Sequence, residues 1–483
     1  MKLKKVKIFI VLIFLFVALA GFYGNSLMNV NAVEPTDSLH TQTKIYSSNN
    51  DDYFNGCEDY ADYVNSAPTI TVLTHGLGMS AVGWSNDYDV EDGKKFVYNS
   101  SSLINKMYER LNGQMTLYLA KGEEPGGVYN FKLTKYSYAD YINSNGGKVT
   151  SVIDDVSKHI VIVPSLWYKD KSNYTVYNEF HYILDNISAQ YKNLTGVLPR
   201  FNLVSHSRGG VTNIMYATEH PYNVASVFSM GSPYSGSVLG ELEIFLKMMK
   251  YMDEEYQIIN EGVESIMNET EMQGIRDAWN RAYTADVNMN VVAYGSMASI
   301  HLLKAMMQDM NTNYAKYEEG YGEILNDYGD LIDSVISVIE DCPGLTSTTL
   351  NFVNGLAKVF NKFGVDLFDI LFTKIDSNLK GKITYEEVRD VLGLVNVINN
   401  EVVIMDDIFI DLNSQLGYGF EDGISYNGFK RYIKIFGAAD YTDNRAVADQ
   451  PGIVHNLEIM NETYTNDITN SLVFGVPVSA VVD

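Results

Sequence analysis

The sequence predicts an α/β fold: a mostly parallel sheet with helices on both faces, interrupted by two helical insertions. Three observations predict it. Strand-like runs and helix-like stretches alternate from residue 70 to residue 230. The run His159 to Val163 is continuously apolar after its histidine, as a strand buried on both faces is. Past residue 237 the texture turns to helices rich in Met, Glu and Leu.

Each element follows in order. Ile70-Thr71-Val72-Leu73 is a β-rich run that stops at His75-Gly76-Leu77-Gly78, and a strand stopping at glycines implies close approach of other atoms to its backbone. Ser102 to Leu111 carries Leu103, Ile104, Met107 and Leu111 at helical spacing. Residues 115–138 alternate apolar and polar in two halves and predict a hairpin. After the strand at 159–163, Tyr177 to Leu194 places Phe180, Ile183, Leu184, Ile187 and Tyr191 on one helical stripe. Phe201 to Val204 is the next strand, Val211 to Thr218 a helix that His220-Pro221 ends, and Val224 to Met230 another strand. Later apolar runs at Asn290–Tyr294 and Asn400–Ile404 add strands, and a helix closes the chain. The organisation is residues 1–32 as a leader and 33–237 as the first part of the core. A helical insertion (238–288), a core strand (289–299), a second helical insertion (300–398) and the rest of the core (399–483) follow.

Composition narrows the function. The chain has 483 residues, 46% hydrophobic and 20% charged, enough to bury a large core. Its 35 Lys and Arg stand against 60 Asp and Glu, a net charge of −25. Nucleic acid is excluded as a partner, because neutralising phosphates needs clustered cations. Lys2, Lys4, Lys5 and Lys7, the apolar run Ile8 to Phe22 and the small residues of Val30-Asn31-Ala32 read as a secretory signal peptide, so the protein is expected outside the cell. An uncleaved N-terminal membrane anchor is the alternative. Export permits a Cys57–Cys342 bridge, and two separate thiols satisfy the sequence equally.

The chemistry falls at strand ends. A serine hydroxyl is a poor nucleophile unless it is held exposed beside a base. Ser207 sits between the strand ending near Val204 and the following helix, with Ser205 and Gly209 as small neighbours at −2 and +2 and Gly210 next. Such a tight turn lifts the side chain off the sheet and aims a helix N-terminus at developing negative charge.

Ser205-His206-Ser207-Arg208-Gly209 resembles the G-x-S-x-G elbow of the α/β-hydrolase fold, with Ser205 in place of the first glycine. His75-Gly76-Leu77-Gly78 is similar to the oxyanion loop of that family, and Gly231-Ser232-Pro233-Tyr234-Ser235-Gly236 to a segment of its secreted bacterial lipases. The resemblance implies an α/β-hydrolase in which the backbone N–H groups of Leu77 and Arg208 form the oxyanion hole. It leaves His75 as a structural residue that ties down its loop. It also implies the order Ser, acid, His. Of the histidines after Ser207, namely His220, His301 and His455, the last lies after the final sheet-like segment and fits the base. Asp407 precedes a Ser414-Gln415 pair by seven residues, as the catalytic Asp does in the lipase pattern, and is the expected acid; Asp406, Asp440 and Asp443 are its rivals.

A second signal is Asp376 to Glu387, which fits a Ca²⁺-binding EF-hand loop at positions 1, 3, 6, 8 and 12. Asp376, Asn378, Lys382 and Glu387 would ligate, while Lys380 occupies a ligand position; a plain helix–turn–helix explains the same residues. The Met-rich helices of 238–285 fit either a lid that opens on lipid or a subdomain packed on the core. Trp84 fits an acyl pocket or the core. The reading is a secreted serine hydrolase of lipid-type carboxylic esters, a lipase or carboxylesterase, that requires no cofactor and touches lipid only transiently at an interface. An acyltransferase or other acyl hydrolase would use the same residues. A non-catalytic Ca²⁺-binding surface module is the rival of a different class.

Overall fold

The run that stops at His75 forms β1 (Thr69–Thr74), buried from its second residue on. In the computed structural model the described residues are 63, 66–77, 84, 102–143, 145–236, 261–282, 289–296, 298–299, 395–398, 401–404, 410, 412–417, 430–434 and 455–475. The first part of the chain after β1 holds α1 (Leu103–Arg110), β2 (Met115–Glu123), β3 (Asn130–Tyr136), α2 (Tyr138–Ile142), β4 (Lys148–Thr150) and β5 (His159–Ser165). Next come α3 (Asn173–Thr195), β6 (Arg200–His206), α4 (Arg208–Glu219), β7 (Val224–Met230), α5 (Glu261–Met267), α6 (Glu269–Ala282) and β8 (Asn290–Ser296). The remainder is β9 (Ala298–Ser299), β10 (Val395–Ile398), β11 (Glu401–Ile404), α7 (Leu412–Gln415), β12 (Lys430–Lys434) and α8 (Glu462–Phe474).

Among the described residues, nine strands form one sheet in the order β12-β8-β7-β6-β1-β5-β2-β3-β4. Pairing is parallel from β12 to β2, and antiparallel from β2 through β3 to β4. The expected hairpin is β2–β3, in register from Leu117 opposite Tyr136 to Glu123 opposite Asn130. β1 lies at the centre, paired with β5 at Ile70–Ile160 and with β6 at Ile70–Phe201.

Side chains of the central strands alternate between two cores, as period-two geometry requires. Ile70, Val72, Ile160, Ile162, Phe201 and Leu203 pack with residues of α3, α4 and α6. Leu73, Val161, Val163, Val204 and Phe228 pack with α1 and α8 on the other face. A sheet that is parallel over most of its width, covered by helices on both faces and carrying a serine at the β6–α4 junction, is the α/β-hydrolase architecture.

Local sequence explains the element ends. α3 begins four residues before the expected Tyr177 because Ser172 caps it, its side chain accepting from Thr175 N–H. It stops at Gly196, whose φ of 79° is a left-handed cap. α8 is capped by Asn461, which accepts from Thr463 and Tyr464 N–H groups.

Two differences from expectation stand out. The run at 400–404 does form a strand, β11, but it pairs antiparallel with β10 and β9 in a separate three-stranded sheet, outside the nine-stranded one. The strand that closes the core sheet is β12, parallel to β8. Its sequence, Lys-Arg-Tyr-Ile-Lys, hides it, because three cationic residues in five leave no apolar run to read as a strand. The described part of the first insertion is packed on the core. α6 gives Met272, Ile275 and Trp279 to the α3/α4 face, and Arg276 donates to the Tyr234 carbonyl at 2.8 Å. The N-terminal 62 residues, both cysteines and the loop at 376–387 lie outside the described residues, as does most of the second insertion.

Candidate active site

β6 is buried along its whole length between β1 and β7. The chain must leave it and enter α4 within one residue. Ser207 is that residue, at φ 55° and ψ −136°. Non-glycine side chains avoid positive φ, at a cost of about 1–3 kcal/mol, so the surroundings must hold it. Ser207 N–H donates to the Met230 carbonyl at 2.9 Å, and Gly210 N–H donates to the Ser207 carbonyl at 2.9 Å. Small residues make the turn sterically feasible. A Cβ on Gly209 would lie 2.5 Å from the Thr74 carbonyl oxygen and 2.8 Å from that of His75. A Cβ on Gly76 would lie 2.7 Å from Ser207 Cβ and 3.2 Å from its Oγ. The β1 loop is therefore laid directly against the serine. Ser205, where the family pattern has glycine, is fully buried and donates to the Phe228 carbonyl at 3.1 Å, so its hydroxyl is satisfied.

His75 has the structural role expected of it. Its Nδ1 lies 2.9 Å from the Gly76 carbonyl oxygen, and Leu166 N–H donates to its Nε2 at 3.3 Å. An Nε2 that accepts places the hydrogen on Nδ1. Burial pushes its pKa down to about 4, so the ring is neutral and fastens the loop to the end of β5. The Arg208 guanidinium turns aside, donating from Nη1 to the Lys171 carbonyl at 2.8 Å and from Nη2 to the Lys169 carbonyl. Its pKa is drawn down to about 10 by burial. The Arg208 N–H opens the first turn of α4, where no carbonyl of the helix can reach it. Leu77 follows Gly76, whose backbone lies against Ser207.

His455 begins a 3₁₀ turn, His455–Met460, that leads into α8. It reaches the elbow through the residue before the serine. His206 Nε2 donates to the His455 carbonyl at 2.8 Å, and the two rings lie 4.5 Å apart at 37°. Burial drives the His206 pKa well below the ordinary histidine value, so it acts as a neutral donor. Glu458 lies three residues after His455 and is fully buried. Its Oε2 is 3.6 Å from His455 Nδ1 and 3.5 Å from His206 Nε2. Gly231, at φ 54°, makes room for this group: a Cβ there would run into Glu458 Oε2 and lie 2.9 Å from His455 Nδ1.

Sequence reasoning missed His206 and Glu458. A period of three aligns residues i and i+3 on a 3₁₀ turn, and a glutamate three after His455 in an apolar stretch was the available signal. Asp407 and Asp406 lie outside the described residues, as do Asp376, Asn378, Lys382 and Glu387. Residues 414 and 415 are described, anchored to the loop after β7 and to the end of β8. Ser414 Oγ accepts from Ser235 N–H at 2.9 Å and donates to the Gly236 carbonyl at 2.7 Å. Gln415 clamps Ser296, accepting from its N–H at 2.7 Å and donating to its carbonyl at 3.1 Å. Trp84 is buried in the core with Leu73 and Ile459 rather than lining an open surface.

No protein-family model matches the sequence, and no curated protein is similar to it. Several solved structures share remote likeness. The lin2722 gene product of Listeria innocua is 14% identical over 48% of this chain and 71% of that one, at a TM-score of 0.28. Phospholipase PlaB of Legionella pneumophila is 10% identical over 47% of this chain and 39% of its own, also at 0.28. The mature Bacillus licheniformis lipase BlEst2 is 15% identical over 55% and 75%, at 0.27. These likenesses are too distant to bear on chemistry, which rests on the site itself.

Proposed function

We propose that the protein is a secreted serine hydrolase that cleaves lipid-type carboxylic esters through an acyl-enzyme, as a lipase or carboxylesterase does. The observation that carries this reading is Ser207: a non-glycine residue at positive φ, between a buried strand and a helix, with the Gly76 backbone against its side chain. Strain of this kind persists where it positions a reacting group.

In this reading Ser207 Oγ attacks the ester carbonyl while His455 takes its proton. The Leu77 and Arg208 N–H groups hold the oxyanion, each donor contributing about 3–4 kcal/mol to the transition state. His455 then protonates the departing alcohol, and water activated by the same ring releases the acid. Asp407 orients His455 and stabilises its charged form, a role supported by its place seven residues before Ser414-Gln415. His206 and Glu458 hold the turn that carries the base. Export is supported by the Lys-rich, apolar N-terminus alone.

The test is hydrolysis of p-nitrophenyl esters over a range of acyl lengths by the full chain and by Ser207→Ala. The parent is expected to turn over, and Ser207→Ala to lose at least about 10⁴-fold in kcat. The chain-length profile separates esterase from lipase. A folded parent that neither hydrolyses any ester nor takes a fluorophosphonate on Ser207 would overturn the reading.

A further inference from the structure

Helix α4 carries Ser207 at one end, and at the other a group of side chains that the ester chemistry does not use. His220 caps the C-terminus of α4. Facing it on α3 are His181 and Asp185, one helical turn apart. His220 Nε2 lies 2.9 Å from His181 Nε2, and His181 Nε2 lies 3.1 Å from Asp185 Oδ2. All three atoms fall within 4.8 Å of one another. The rings are held from behind: His181 stacks parallel on Tyr177, 5.7 Å away, and Tyr216 packs against both imidazoles at 6.0 and 4.6 Å. The Tyr177 hydroxyl is fixed in turn by donating to the Glu219 carboxylate. Asp185 and His181 are partly open to water, so a solvent ligand can reach the same point.

We propose that His181 Nε2, His220 Nε2 and Asp185 Oδ2 form a zinc site that clamps α3 to α4. Two imidazoles and one carboxylate are a borderline donor set that suits Zn²⁺ and disfavours Ca²⁺ and Mg²⁺, which take oxygen. A tetrahedral ion with bonds of about 2.0–2.1 Å places its ligand atoms about 3.3 Å apart. The two separations from His181 Nε2, 2.9 and 3.1 Å, need only a few tenths of an ångström of opening, and His220 and Asp185, whose ligand atoms lie within 4.8 Å of each other, close on the ion by side-chain movement. Both Nε2 atoms must offer lone pairs, so the hydrogen now shared between them moves to the Nδ1 of the ring that carries it. Water takes the fourth position. The twelve-residue α4 separates this point from Ser207 by about 18 Å, so the ion acts on the packing of the helices and takes no part in ester cleavage. The site is independent of the proposed hydrolase function.

The full chain, stripped of metal and exchanged into clean buffer, would be titrated with ZnCl₂ by calorimetry, with native mass spectrometry for stoichiometry. One ion per chain and a zinc-dependent rise in melting temperature are expected. Asp185→Asn and His220→Ala should each weaken zinc at least about tenfold and abolish that rise. Co²⁺ gives a second readout through the visible bands of tetrahedral coordination, which both variants should lose. Asp185 is exposed enough that its substitution should leave the fold intact. Zinc that binds parent and Asp185→Asn equally, or binds neither, would overturn the proposal.

Discussion

Helix α4 has Ser207 at its N-terminus and His220 at its C-terminus, and the two ends are built differently. At the N-terminus backbone does the work. A strained φ, the glycines at 76 and 209, and the carbonyls of Thr74 and His75 leave Ser207 one place to go. At the C-terminus side chains do it: two imidazoles and a carboxylate meet because two helices lie side by side, and aromatic rings fix their angles. Backbone placement tolerates no added atom. Side-chain placement tolerates tenths of an ångström, which is what a bound ion needs and what a reacting nucleophile does not allow.

Substitutions at the N-terminal end should therefore strike activity hard. In the proposed mechanism the largest effect is expected at Asp407. Asp407→Asn should lower kcat by about 10⁴, the loss that follows when a base sits in the wrong tautomer. Glu458→Gln should lower it only about tenfold, as loss of one buried contact to a charged group does. Steady-state kinetics on one ester compares them, and the reverse ranking would make Glu458 the acid. Between these two falls Gly76→Ala. Its methyl would lie 2.7 Å from Ser207 Cβ, so loop and serine must separate, and kcat should fall about 10²–10³-fold with little change in KM. A fall confined to KM would mean that the loop binds substrate and does not hold the oxyanion.

The smallest effect distinguishes the two ends through acid. His75, beside the elbow, is pushed down to about 4 by burial. The unfolded chain takes up this proton near pH 6.5 and the folded one only near 4, so its contribution is intact above 6.5 and is lost as pH falls toward 4, at about 1.4 kcal/mol per pH unit. At the other end Asp185 raises His181 while burial lowers His220, so the pair has no common direction. Urea midpoints between pH 7 and 4.5 should thus show a shallower slope in His75→Asn than in the parent. An unchanged slope would mean that His75 is already charged in the fold.

What could be read from sequence follows the same division. The elbow was legible because its demands are local: a strand, small residues at fixed offsets, then a helix. His455 is proposed from its place in the order of the chain, and the fold sets its carbonyl against His206, the residue before Ser207. β12 was hidden because Lys430, Arg431 and Lys434 give an edge strand the look of a solvated loop. Glu458 was hidden because an acid near a helix start reads as a cap, and only the fold brings Gly231 and His206 beside it. The imidazole pair is a contact across 39 residues that no period encodes.

The central position of β1 has a consequence for how the chain is made. Its partners arrive late: Ile70 waits for Ile160 on one side and Phe201 on the other, roughly 90 and 130 residues downstream. The β2–β3 hairpin can close as soon as it is synthesised, whereas the middle of the sheet cannot. Until β6 emerges, one side of β1 is an open apolar edge, a template for pairing with another chain. A nascent chain halted before residue 200 is thus a species prone to aggregate, and the interval it spends there depends on the speed of elongation.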